Sequence, residues 1–228
     1  MKYVLSTAGA LALAVSLSGC VQAQSHERTS FDGFVGSQSV DTRGDVEMNG
    51  VAISLDARVG GNAVMNGAAV DVDAHIDGDL EANGGAAEIR GSVGGRTLVN
   101  AGAAEMSGSF SGPVEINAGA AELSGVFLQG FTAEAGALEF SGEAHGPVRI
   151  TGSGRERGWF GRPREDRSHV EIGGDLRAGG AICAHEVRFT GSARVGAPLT
   201  VTADSEPVYP SGFGSSAIRY TARQGGCE

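Results

Sequence analysis

The sequence predicts an all-β fold: a parallel β-helix, or solenoid, with about ten coils of 17 residues. Three observations carry this prediction. Asn100–Gly108 reads NAGAAEMSG, and Asn117–Gly125 repeats it as NAGAAELSG, 17 residues later. Apolar or small residues occupy every second position around this phrase, and glycines recur at fixed intervals. An internal repeat of this length is typical of solenoid architectures.

We number the positions of each repeat from 1 to 17, with Asn100 at position 1. In this numbering, the same residue types recur at the same positions along the chain. Alternation with a period of two is typical of strands with one buried face, and regularly spaced glycines mark bends between them. Helices are disfavoured, because each glycine costs about 1 kcal/mol in a helix interior. Coils of this kind bury their apolar face only by stacking, and parallel crossovers are right-handed. Position 1 contains Asp32, Asn49, Asn66, Asn83, Asn100, Asn117, Glu134 and Thr151.

Two interruptions of the repeat define the predicted domain boundaries. Residues 32–202 form the β-helix, with a corner insertion at 153–167, after which Val170 resumes the pattern at position 5. Residues 203–228 form a second insertion and a C-terminal cap, with Ile218–Tyr220 placed at positions 5–7. Both insertions are predicted to leave from the corner that joins positions 1 and 4.

The first 31 residues are predicted to be a targeting signal and a tether. Residues 1–19 combine Lys2 with an apolar run, which is typical of a signal peptide. Leu17-Ser18-Gly19-Cys20 resembles the lipobox of bacterial lipoproteins, which implies cleavage before Cys20 and its acylation with palmitate or similar chains. Two or three acyl chains hold a protein stably on a membrane. Ordinary cleavage after residues 21–23 remains the alternative.

The resemblance to lipoproteins also implies a location. Residues 20–31 would be a lipid-anchored tether in the bacterial cell envelope, and Val21 in place of Asp favours the outer membrane over the inner one. Whether the protein faces the periplasm or the cell surface stays open.

Composition restricts the class of function. The 228 residues carry a net charge of −10, which argues against nucleic acid as a partner because phosphate binding requires a basic surface. The chain contains no Ser-His-Asp constellation, no phosphate-binding motif and no CxxC. We therefore predict no catalytic residues and no cofactor.

The repeat resembles the bactofilins, a family of polymer-forming bacterial β-helices. The resemblance rests on the 17-residue period and on glycine-led segments such as Gly78-Asp79-Leu80-Glu81-Ala82 and Gly174-Asp175-Leu176-Arg177-Ala178. The resemblance implies a right-handed, triangular β-helix that self-associates end to end. A lipobox, two insertions and a column of small residues at position 5 distinguish this chain from that family.

A column of acidic residues is predicted at position 6. Two unit charges about 4.8 Å apart repel by about 0.9 kcal/mol in water, so such a column is unfavourable on its own. One interpretation is a surface that attracts cations, such as Ca²⁺, or a basic partner. The other is a solvated face that keeps the rod-shaped solenoid soluble and prevents its sheet from pairing laterally with another chain. The column contains Asp71, Glu88, Glu105, Glu122, Glu139 and Glu171, and it continues into Arg188 and Arg219.

The insertion 153–167 is the other candidate site, because loops on rigid scaffolds often carry binding residues. It either binds a glycan or an envelope protein, or it packs with the second insertion as a structural lid. Its candidate binding residues are Arg155, Arg157, Trp159, Phe160, Arg162 and Arg164.

Two smaller clusters complete the candidates. Cys183 and Cys227 are an even pair that would form a disulfide outside the cytoplasm, although the repeat places them at different corners. His169, Glu186 and His185, with Asp166 near in sequence, form a candidate metal or acid–base cluster, with the metal unknown.

The sequence as a whole favours a non-enzymatic envelope scaffold that self-associates through its β-helix ends. A binding module that uses the loop 153–167 is the alternative, and a carbohydrate-active enzyme on the acidic face is the third hypothesis.

Overall fold

The computed structural model describes residues 28–39, 41–153 and 167–227. It is a parallel β-solenoid of about 11 turns spaced about 17 residues apart, with 62% strand, which confirms the predicted fold class. The strands are β1 Thr29–Asp32, β2 Val35–Gln38, β3 Val46–Asn49, β4 Ala52–Leu55, β5 Arg58–Val59, β6 Ala63–Ile76, β7 Leu80–Val93, β8 Thr97–Met106, β9 Ser109–Phe110, β10 Val114–Leu123, β11 Val126–Phe127, β12 Phe131–Phe140, β13 Glu143–Ala144, β14 Val148–Gly152, β15 His169–Ile172, β16 Asp175–Leu176, β17 Gly180–Ala184, β18 Glu186–Phe189, β19 Arg194–Val195, β20 Leu199–Ala203 and β21 Ile218–Ala222. A 3₁₀ turn, Ser215–Ala217, precedes β21.

Each coil contributes to three parallel ladders. The first ladder contains repeat positions 15 to 1, the second contains positions 4 to 7, and the third contains positions 10 and 11. In β8 and β10, for example, Val99 pairs with Ile116, and Glu105 pairs with Glu122. The pairing register advances by the predicted 17 residues from coil to coil, so the columns that the sequence predicted exist as physical columns.

The core is a single apolar column of side chains from positions 5, 7, 11, 15 and 17. The buried side chains differ in size, and a small side chain at one position is offset by a large side chain at another position of the same coil. The coils with only Ala104 or Ala121 at position 5 have Phe110 or Phe127 at position 11. The rings of Phe110 and Phe127 stack at a centroid distance of 5.1 Å. Complementary sizes of this kind keep the interior filled.

A glycine column at position 9, which the sequence analysis did not single out, forms one of the corners. Gly91 has φ +103° and Gly108 has φ +129°, in the region that side-chain-bearing residues rarely adopt. A Cβ at Gly108 would also overlap the carbonyl oxygen of Gly91 in the coil before it. This corner therefore requires glycine for two independent reasons.

The predicted position of the last strand was wrong. Ile218 pairs with Leu199 and Tyr220 pairs with Val201, so β21 occupies positions 15 to 17 and beyond, not positions 5 to 7. Alternating Ile218 and Tyr220 fit either set of inward positions, so the pattern alone did not distinguish them. Val208 bridges to Arg188 at position 6 instead. Residues 203–222 thus form a further coil, which is slightly longer than the regular repeat both before and after Val208. Within these residues, no long second loop leaves the corner.

The two ends of the described solenoid differ in their boundaries. The paired chain begins at Thr29, which pairs with Val46, so the first strand includes residues 29–31 that the sequence assigned to the tether. At the other end, Cys183 and Cys227 form a disulfide with a Cα–Cα distance of 5.6 Å. The last residues therefore turn back from β21 to the coil that contains β17. The predicted signal peptide, Cys20 and residues 20–27 of the tether lie outside the described residues.

Candidate functional site

The acidic column is continuous in the structure. Asp71 pairs in register with Glu88, and the pairing continues in order through Glu105, Glu122, Glu139 and Glu171. Arg188 follows Glu171 in the column, as predicted. Arg219 does not, because it pairs with Thr200 at position 16 on another face.

The carboxylates of the column differ in how their charge is compensated. Arg90 forms ion pairs with both Asp71, at 2.8 Å, and Glu88, so this arginine compensates part of the charge at one end of the column. At the other end, His169 Nε2 lies 3.9 Å from Glu171. Within the described ranges, no basic side chain pairs with the three central carboxylates, Glu105, Glu122 and Glu139.

A groove of about 820 Å³ runs along this face of the solenoid. We call it the acidic groove. Position 6 carboxylates line it together with the alanines of position 4, which face outward because the sheet turns its position 5 side chains inward. The position 4 alanines that line it are Ala52, Ala69, Ala86, Ala103, Ala120 and Ala137. The groove extends from Val35 in the first coil to Glu171, so it follows most of the length of the rod.

The asparagine column next to this face has a structural role. The side-chain amide of each asparagine donates to the amide oxygen of the one before it, at 2.9 Å for Asn66 to Asn49 and 2.8 Å for Asn100 to Asn83. At the start of the column, Asn49 donates to the Asp32 carboxylate at 2.9 Å. The stacked amides therefore form a hydrogen-bonded ladder, and this ladder uses the polar groups that a ligand would need.

His169 and His185, near the C-terminal end, make separate contacts. His169 pairs in register with Glu186, and its Nδ1 is 3.7 Å from that carboxylate. His185 instead contacts Asp204 at 2.7 Å. Asp166, the fourth member of the predicted cluster, lies outside the described residues. Within the part of the chain that the structure describes, no group of three or more His, Cys, Asp or Glu residues could hold a metal ion.

Asp204 is the center of a charged network that closes the last coil. Arg223 donates to both of its carboxylate oxygens, from Nε at 2.6 Å and from Nη2 at 3.0 Å, while only 6% of the arginine side chain is exposed. These hydrogen bonds, with a smaller contribution from His185, lower the pKa of Asp204 to about 2 against the opposing effect of partial burial. Nearby, burial raises the pKa of the Tyr209 phenol.

The predicted binding residues of the corner insertion, Arg155, Arg157, Trp159, Phe160, Arg162 and Arg164, lie outside the described residues. The structure does show where the insertion joins the solenoid. Gly152 at position 2 pairs with Ala135, and His169 at position 4 pairs with Ala137. The insertion therefore leaves within the corner between positions 1 and 4, as the sequence predicted.

No family model, curated protein or solved structure matches this chain. Among the described residues, no helix has the length and apolar character to cross a membrane.

Proposed function

We propose that this protein is a non-enzymatic structural lipoprotein of the bacterial cell envelope that self-associates through its first coil. The signal segment and the lipobox-like residues before Cys20 support the envelope location. An acyl anchor at Cys20 and a rigid solenoid that begins at Thr29 would place the rod within about 30 Å of the membrane surface.

The observation that carries the self-association is the open edge of the first coil. Within the described residues, β1 pairs only with β3 and β2 pairs only with β4, so each strand has one edge without a partner. Phe34 is 78% exposed and Val35 is 69% exposed at this edge. Unpaired strand edges with exposed apolar side chains favour pairing with another chain.

The test is the association state of the chain from residue 21 onward, which lacks the acylated cysteine. Sedimentation velocity and negative-stain electron microscopy should show concentration-dependent assemblies joined at the ends of rods. Phe34→Lys and Val35→Lys together should weaken association by about tenfold or more, because lysine on an edge strand opposes edge pairing.

Leu128→Lys is the matched control, because Leu128 is also exposed, at 43%, but lies at a corner of a middle coil. It should leave association unchanged. A chain that stays monomeric at the highest soluble concentration would contradict the proposal, as would equal effects of the edge and control variants.

A further inference from the structure

We propose that the acidic groove is a docking site for an extended, lysine- or arginine-rich peptide segment of a partner protein. The proposal rests on the charge and shape of the groove and not on the proposed self-association.

The first feature is charge that the described chain leaves uncompensated. Glu105, Glu122 and Glu139 stand in consecutive coils in direct register, about 4.8 Å apart, and none of them has an ion-pair partner among the described residues. Their mutual repulsion favours any occupant that brings positive charges along the column. Asp71 and Glu88 differ, since Arg90 already neutralises part of their charge. The strongest attraction therefore falls in the middle of the groove.

The second feature is the apolar side of the groove, which is formed by small side chains. Ala86, Ala103 and Ala120 at position 4 expose only methyl groups, so a chain can approach the sheet closely beside the carboxylates. The aliphatic stems of lysine and arginine pack on such apolar surface while their charged ends reach a carboxylate. A basic side chain thus matches both sides of the groove at once.

The third feature is direction. In the inner coils, backbone groups pair with the coils before and after, as in β8, β10 and β12, so a partner cannot join this face as an added strand. An occupant must instead lie along the rod axis and be recognised through its side chains. The groove spans eight coils from Val35 to Glu171, about 34 Å, which corresponds to about ten extended residues.

The experiment uses the chain from residue 21 onward and a fluorescein-labelled ten-residue peptide of alternating lysine and alanine, with fluorescence anisotropy at 50 mM NaCl. The same peptide with glutamate in place of lysine should not bind. Binding should weaken as NaCl rises, since ion pairs at an exposed surface are screened. The triple variant Glu105→Gln, Glu122→Gln and Glu139→Gln should weaken binding by about tenfold, as expected for the loss of three exposed ion pairs.

The matched control removes three carboxylates from position 16, on another face: Glu47→Gln, Glu81→Gln and Glu115→Gln. It changes the net charge equally and should weaken binding less than about twofold, because the lost charges lie outside the groove. A further variant, Ala103→Arg with Ala120→Arg, fills the groove and supplies its own cations, so it should abolish binding without affecting the apolar core.

Three results would overturn the proposal. Absence of binding to the lysine peptide is the first, and equal weakening by the two triple variants is the second, since that would indicate nonspecific attraction to an acidic protein. The third is binding that occurs only after deletion of residues 154–166, because this chain's own basic segment would then be the occupant.

Discussion

At the C-terminal end of the solenoid, aromatic rings, a disulfide and an ion pair close the last coils, whereas the first coil has few such contacts. The rings of Tyr209 and Phe213 pack against Phe189 with centroid distances of 5.5 and 5.3 Å, and Arg223 binds Asp204. In the first coil, the Phe31 ring packs against Gly36 but has no ring partner among the described residues.

The inward positions explain part of this difference. The first coil has Gly36, Gln38 and Thr42 at positions 5, 7 and 11, where later coils have buried apolar side chains. Terminal repeats of solenoids are typically less apolar than inner ones. The first coil thus has little core of its own, and its outward residues Phe34 and Val35 are its main apolar surface. We infer that the closed end determines stability and the open end determines contacts, and four predictions test this comparison.

The largest effect is expected from the disulfide. Replacing both Cys183 and Cys227 by Ser should lower the free energy of unfolding of the C-terminal coils by about 3 kcal/mol, because the cross-link closes a 44-residue separation. Urea unfolding measures the loss, and hydrogen exchange should locate it in β20 and β21. Reductant should produce the same change in the unmodified chain and none in the double variant. Protection lost equally in β1 and β3 would contradict an effect confined to the closed end.

The aromatic residues at the two ends give a matched pair of substitutions. Phe213→Ala should destabilise the protein by about 2 kcal/mol, since it removes a partly buried ring that contacts two others. Phe31→Ala should cost about 1 kcal/mol or less, because its ring has fewer neighbours in the described chain. Thermal unfolding followed by circular dichroism compares them. Equal losses would mean that the first coil is as firmly packed as the last.

The regular coils were predictable from the sequence because a period of 17 residues constrains them repeatedly. Each column, including the acidic one and the asparagine ladder, is defined by five or more coils. One unusual residue, such as Gln129 at position 13 where Gly112 and Gly146 stand in the neighbouring coils, therefore does not change the register. The parallel solenoid, its three ladders and the corner at which the insertion leaves all follow from that redundancy.

The sequence did not predict the features that occur only once. The register of β21 depended on a single coil whose apolar residues fit two sets of positions. The groove was missed because alternation assigns position 4 outward without showing that small side chains there would leave a concave surface beside the carboxylates. Pairing of Arg90 with two carboxylates required side-chain reach between coils, which no period encodes.

The middle coils offer a test in the opposite direction, toward greater stability. Thr97 is fully buried at position 15, and its hydroxyl has no hydrogen-bond partner in the described structure. Thr97→Val removes this unsatisfied group at nearly constant volume and should raise the free energy of unfolding by about 1 kcal/mol. Thr97→Ser, which keeps the hydroxyl and removes the methyl group, should instead destabilise. A loss on Thr97→Val would mean that the hydroxyl makes a hydrogen bond after all.

The smallest effect concerns the Asp204 network at the closed end. The pKa of Asp204 is about 2 in the folded protein, below its ordinary value of 3.8, mainly because Arg223 donates to its carboxylate. A lowered folded-state pKa stabilises the protein above pH 3.8, and this contribution is lost as the pH falls toward 2. Since 40% of the Asp204 side chain is exposed, solvent screening limits the contribution to about 1 kcal/mol or less.

Asp204→Asn should therefore reduce stability at pH 7 and flatten the fall in stability between pH 4 and pH 2, as measured by urea unfolding at a series of pH values. Asp56→Asn is the control, because Asp56 is exposed and has no side-chain ion pair within the described residues. It should leave the pH dependence unchanged. Parallel curves for the unmodified chain and Asp204→Asn over this range would show that the Arg223 pair does not hold the last coil, and closure of that end would then depend on the disulfide and the aromatic stack alone.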